Sequence, residues 1–141
     1  MAEKLASLKK KGGGELKETV LWTNPSPNNA NGFAAQAVAL SDDITKYKLI
    51  KFTFNYNMNS SADSDKNMAF LSPEVIPNFS SIYRIATCIC TSVNNREFFR
   101  SIYAGSDNSH ISFAPCNMIQ SNSSVSVNNM MCIPYQIIGL K

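Results

Sequence analysis

The strongest constraint on this chain is a two-residue alternation at residues 48–57. Ile50, Phe52, Phe54 and Tyr56 fall on one side, with Lys51, Thr53 and Asn55 on the other. Successive side chains of a β-strand point to opposite faces, so the pattern predicts a half-buried antiparallel strand. A helix would scatter those four large side chains around its axis. The same period returns over 82–93. Tyr83, Ile85, Thr87, Ile89, Thr91 and Val93 share one face, and Ile82, Arg84, Ala86, Cys88 and Cys90 the other.

Shorter apolar runs separated by turn residues complete the picture. TVLWT at 19–23, FAAQAVAL at 33–40, MAFL at 68–71, EFFRSIYA at 97–104, HISFA at 110–114 and MMCIPYQIIGL at 130–140 read as strands. Val125 and Val127 suggest a further weak one. Pro134 predicts an edge or bulge position for the last strand, because proline cannot donate to a ladder. Ser41 is the expected cap of one helical turn through Ile44 and Tyr47. The sum is an all-β chain of about eight strands, an antiparallel β-sandwich of jelly-roll type. Two facing sheets would bury Trp22, Phe52, Phe54, Phe98 or Phe99, Ile85 and Ile137.

Charge divides the chain unequally. Residues 1–17 hold five lysines against Glu3 and Glu15, and the remaining residues balance eight basic against eight acidic groups. The whole net charge of +3 therefore sits on the opening segment. A basic nucleic-acid-binding face on the body is not expected. Residues 1–14 form a basic head ending in Gly12, Gly13 and Gly14, and residues 15–141 form the body. The head reads either as a solvated terminus or as an anchor that orders on a neighbouring subunit. Leu5 and Leu8 favour the anchor, with Lys9, Lys10 and Lys11 beside them. The head lacks the apolar core of a secretory signal, and no apolar run approaches the roughly 20 residues that span a bilayer. Synthesis in the cytosol with reduced thiols is expected, and Cys88, Cys90, Cys116 and Cys132 read as four small buried hydrophobes.

Catalytic patterns are thin. His110 is the single histidine, with Asp107 able to orient it, but no G-x-S-x-G elbow accompanies them. Asp63 and Asp65 resemble the start of a calcium loop without its glycine and distal glutamate. No C-x-x-C pair or phosphate-cradling loop is present. The expectation is a protein without catalytic residues, metal or cofactor; the enzymatic alternative is a polysaccharide hydrolase dependent on Asp107 or His110. The chain is instead rich in neutral hydrogen-bonding groups, with 16 Asn and 18 Ser. The loops at 24–32, 58–67 and 121–129 are candidates for recognition, through Asn28, Asn29, Asn59, Asp63, Asp65, Asn122 and Asn128. The aromatic residues Phe52, Phe54, Phe98 and Phe99 read as core. Tyr56, Tyr83 and Tyr103 suit a wet, sugar-stacking surface better.

The start ETVLWTNPSP at 18–27 with FAAQAVAL at 33–40, and the finish CIPYQIIGLK at 132–141, resemble small virion structural proteins of tailed phages and prophages of Gram-positive gut bacteria. These segments cover about a fifth of the chain. The resemblance implies a tail-fibre, baseplate or head-decoration module in the virion, made in the host cytoplasm. It further implies other virion proteins as partners and a homo-oligomer, by analogy a trimer. A host-surface glycan is the alternative partner; specific nucleic acid binding and membrane insertion are not implied.

Overall fold

The computed structural model describes residues 16–55, 69–77, 84–91, 96–120, 122 and 124–141. Among them run ten strands: β1 (Glu18–Thr23), β2 (Gln36–Ala39), β3 (Leu49–Asn55), β4 (Ala69–Leu71), β5 (Glu74–Val75), β6 (Arg84–Thr91), β7 (Glu97–Ala104), β8 (His110–Ile119), β9 (Val125–Val127) and β10 (Ile133–Leu140). A single 3-10 turn (Ile44–Lys46) lies between β2 and β3. The strands form two antiparallel sheets. One has the order β1-β10-β3-β5, and the other β2-β8-β7-β6-β4 with β9 also paired to β8.

The sheets pack face to face, as the alternation predicts. Leu21, Ile50, Phe52, Ile133 and Ile137 from one sheet meet Val38, Ile102, Ile111 and Phe113 from the other in a single core. Phe52, Ile102, Ile111 and Ile137 are wholly buried, and each contributes roughly 1.5–3 kcal/mol. Trp22, Phe54 and Ile85, expected inside, are partly buried and pack against that core. Phe98, not Phe99, is the wholly buried member of its pair.

Several expectations change in detail. β10 is an internal strand, so Pro134 does not mark an edge. It marks the bulge: the register against β3 shifts between Pro134 and Gln136. Thr53 spans the irregularity, its Oγ1 accepting from the Gln136 backbone N–H at 2.9 Å. The strand expected over 33–40 begins only at Gln36, because the Phe33 N–H bonds the Asn129 carbonyl across the molecule at 2.9 Å. The 3-10 turn is capped by Asp43 and not by Ser41, with Asp43 Oδ1 accepting from the Thr45 N–H at 2.8 Å. β8 runs on past Ala114, through Pro115, to Ile119. β5 was not expected, since Pro73 and Pro77 flank it.

The two ends of β1 meet different surroundings. At its start, Lys17 and Lys141 exchange backbone hydrogen bonds of 2.7 and 3.1 Å, and Leu16 packs with Leu49 and Leu140. The first described residue, Leu16, lies there. At its finish, about 20 Å away by strand rise, Thr23 leads into the loop at 24–32.

Candidate functional site

An open cleft of about 370 Å³ lies at the finish of β1. Its volume falls within the range of small-molecule sites. Trp22, Phe33 and Val38 give it an apolar wall, and Asn24, Asn29 and Gln36 give it amides. All ten of its lining residues are uncharged.

The loop that shapes the cleft is built from local turn chemistry. Asn24 Oδ1 accepts from the Ser26 N–H at 2.9 Å, and its Nδ2 donates to the Pro134 carbonyl at 2.8 Å. Asn24 thereby closes a turn and ties the loop to the bulge of β10. Asn29 Oδ1 accepts from the Asn31 N–H at 2.8 Å, and the Asn29 carbonyl accepts from the Gly32 N–H at 2.9 Å. Gly32 then takes φ 74°, the left-handed region. A Cβ there would stand 2.2 Å from the Asn129 carbonyl oxygen, so only glycine fits. This contact joins the base of the loop at 24–32 to the turn at 128–130.

Phe33 packs edge-on against Trp22, with ring centroids 6.1 Å apart, and against Phe113 at 5.6 Å. Behind Phe33 stands Arg100, its guanidinium 5.3 Å from the ring centroid. Arg100 is wholly buried. Its Nε donates to the Cys132 carbonyl at 2.8 Å, Nη1 to Ala114 at 2.7 Å and Nη2 to Met131 at 3.2 Å. Burial lowers its pKa, while the neighbouring Cys116, Cys132 and Cys88 thiols act in the opposite sense. One buried cation thus props the cleft wall and grips the turn before β10. Sequence reading missed it, although Phe98, Arg100 and Ile102 follow one inward parity.

The four cysteines are all buried and unpaired by disulfides, and they pack with Phe98 and Met131 beneath the cleft. Among the described residues, no group of three or more His, Cys, Asp or Glu is arranged to hold a metal ion. None of the described helices is long and apolar enough to cross a membrane.

His110 and Asp107 do meet, with Nδ1 and Oδ1 2.8 Å apart. Ser109 donates both its N–H and its hydroxyl to the same carboxylate oxygen, each at 2.8 Å. The hydroxyl hydrogen therefore points at Asp107 and not at the imidazole. These bonds hold the Asp107 carboxyl down at about 2 and close a turn.

Of the recognition residues, Asn28 and Asn29 lie exposed on the cleft loop, and Asn29 lines the cleft. Asn122 caps its own turn, its Oδ1 accepting from the Ser124 N–H at 3.0 Å. Asn128 does the same for Met130 at 3.2 Å. Asn59, Asp63, Asp65, Tyr56 and Tyr83 lie outside the described residues, as do Leu5, Leu8, Lys9, Lys10 and Lys11, expected as an anchor, and Gly12, Gly13 and Gly14, expected as a hinge. Trp22 and Gln36 were not among the candidates. Trp22 had been read as core, and a lone glutamine carries no sequence signal. The chain matches no family model, no curated protein and no solved structure.

Proposed function

We propose that the protein is a non-catalytic structural component of a phage virion, docking through its N-terminal segment and displaying the sandwich outward. The observation that carries this reading is the two-ended layout of β1. The described body begins at Leu16, beside the paired Lys17 and Lys141, directly after the basic segment in sequence, and the loop-lined cleft lies at the other end of the strand. A module of this plan presents its neutral end when it is held by its charged one. The virion resemblance of the segments at 18–27, 33–40 and 132–141 points the same way, and by the same analogy the assembly is a trimer. Deleting residues 1–14 tests the proposal. The truncated chain should keep its β-type circular dichroism and be missing from purified particles. Normal incorporation of the truncated chain would refute docking through the head.

The cleft favours a second reading, recognition of a host-surface glycan. A half-buried indole beside neutral amides suits the C–H face and hydroxyls of a sugar. Gln36 is exposed and gives its Nε2 to the Ala34 carbonyl at 3.1 Å, which leaves Oε1 without a partner among the described residues. Gln36→Ala should weaken glycan-array or cell-wall polysaccharide binding about 2- to 13-fold, the loss of one hydrogen bond, with the melting temperature unchanged. Equal binding by wild type and variant would remove the cleft from the recognition surface.

A further inference from the structure

The thiol cluster beneath the cleft goes beyond this reading. Cys90 lies on β6 of one sheet, and Cys132 just precedes β10 of the other. Their sulfurs are 3.4 Å apart, in van der Waals contact and buried. Cys132 reaches this position through a left-handed backbone, φ 46°, the one non-glycine residue with positive φ among those described. Its turn is held there by Arg100, which grips the carbonyls of Met131 and Cys132. The sulfurs need to close by about 1.4 Å to reach bonding distance. Cys116 and Cys88 border Cys132 as well, and the contacts of Cys116, Cys88 and Cys90 with its thiol, with burial, push the Cys132 pKa up.

From this geometry we infer that Cys90 and Cys132 are a redox pair whose oxidation cross-links the two sheets. The oxidant is a low-molecular-weight disulfide such as glutathione disulfide. The Cys90 thiolate attacks one glutathione sulfur, forming a mixed disulfide and expelling one glutathione thiolate. The Cys132 thiolate then attacks the Cys90 sulfur, forming the Cys90–Cys132 bond and expelling the second glutathione thiolate. The two cysteine protons end on the two glutathiones, and two electrons pass from protein to glutathione disulfide. Neither sulfur meets solvent in the closed sandwich, so the first exchange takes place during folding or in a transient opening of the core. The bond closes a loop spanning residues 90–132, long enough to restrict the unfolded chain substantially.

The test refolds the full chain from urea in a glutathione/glutathione disulfide buffer, followed by alkylation and peptide mapping. The expected product has lost about 2 Da, carries a Cys90–Cys132 cross-linked peptide and alkylates at Cys88 and Cys116. Its melting temperature should exceed that of the reduced chain by roughly 10 °C. Cys132→Ser should abolish both changes, and Cys88→Ala should keep both. Four alkylatable thiols after oxidative refolding would overturn the inference. So would a bond mapped to Cys88 or Cys116, or an oxidised product no more stable than the reduced one.

Discussion

The two ends of the sandwich handle charge in opposite ways. At the head end, charged groups stay at the surface. Lys46 and Asp42 pair at 2.6 Å, Tyr47 donates its hydroxyl to Asp42 at 3.0 Å, and the Lys141 ammonium sits 4.9 Å from the Tyr47 ring centroid. At the cleft end the lining is neutral, and Arg100, the cation behind Phe33, is wholly buried against backbone carbonyls. Water screens the first set, and each pair adds little to stability. The second is shielded from water, so its hydrogen bonds carry the order of the loops. The cleft end is therefore the one whose shape depends on single residues.

The sharpest way to break this contrast is Arg100→Leu. It leaves the buried Cys132 and Met131 carbonyls and the part-buried Ala114 carbonyl without their donor and removes the support behind Phe33. An unsatisfied buried acceptor costs about 1–3 kcal/mol, so the variant should lose roughly 3–5 kcal/mol. A fall in the urea midpoint at unchanged slope measures that loss. Lys46→Ala at the other end should shift the midpoint barely at all. Equal losses from the two variants would mean that Arg100 is not the keystone its geometry suggests.

Gly32→Ala sharpens the same point with a smaller effect. The new Cβ meets the Asn129 carbonyl at 2.2 Å in a backbone region hostile to side chains. Strain of this kind costs on the order of 1–3 kcal/mol. The turn at 128–130 must move, and the cleft with it. Amide exchange at Phe33, whose N–H is bonded to Asn129, should accelerate, while exchange at Lys17 should keep its wild-type rate. Acceleration spread evenly over both ends would count against a local role.

What the sequence revealed follows from what is local. Ile50 and Phe52 were legible because an unbroken alternation fixes which residues share a face. β6 shows the limit. Alternation cannot say which face is inward, and here Cys88 and Cys90 are buried while Ile89 is 42% exposed. A register shift between Arg84 and Ala86 then brings both Ile85 and Ala86 onto the core. The bulge at Pro134 was legible because proline lacks a donor. The cleft was only half so. Turn residues marked the loop at 24–32, but its partner Asn129 lies almost a hundred residues away, and no local pattern encodes that contact. Arg100 was hidden for another reason. A charged residue is read as surface by default, and only the donors' match to three carbonyls reverses that.

The smallest expected effect belongs to the head end and is read by pH. The Asp42 carboxyl is held at about 2, first by the bond from the Lys46 ammonium and then by the Asp43 backbone N–H. The carboxyl is therefore depressed in the folded chain relative to its ordinary value of 3.8. The unfolded chain binds that proton first as pH falls, so the contribution of Asp42 is complete well above 3.8 and is lost as pH drops through about 2. The pair is exposed, so the change is slight and salt weakens it further. Carboxyl-carbon NMR titration should give a midpoint for Asp42 near 2 in the wild type, and Lys46→Ala should move it back up towards 3.8. An unmoved midpoint in the variant would show that the Asp43 backbone N–H and the Tyr47 hydroxyl depress the carboxyl without Lys46. The head end would then owe its local order to hydrogen bonding within the turn, as the cleft end does, and the contrast in how the two ends use charge would narrow to Arg100 itself.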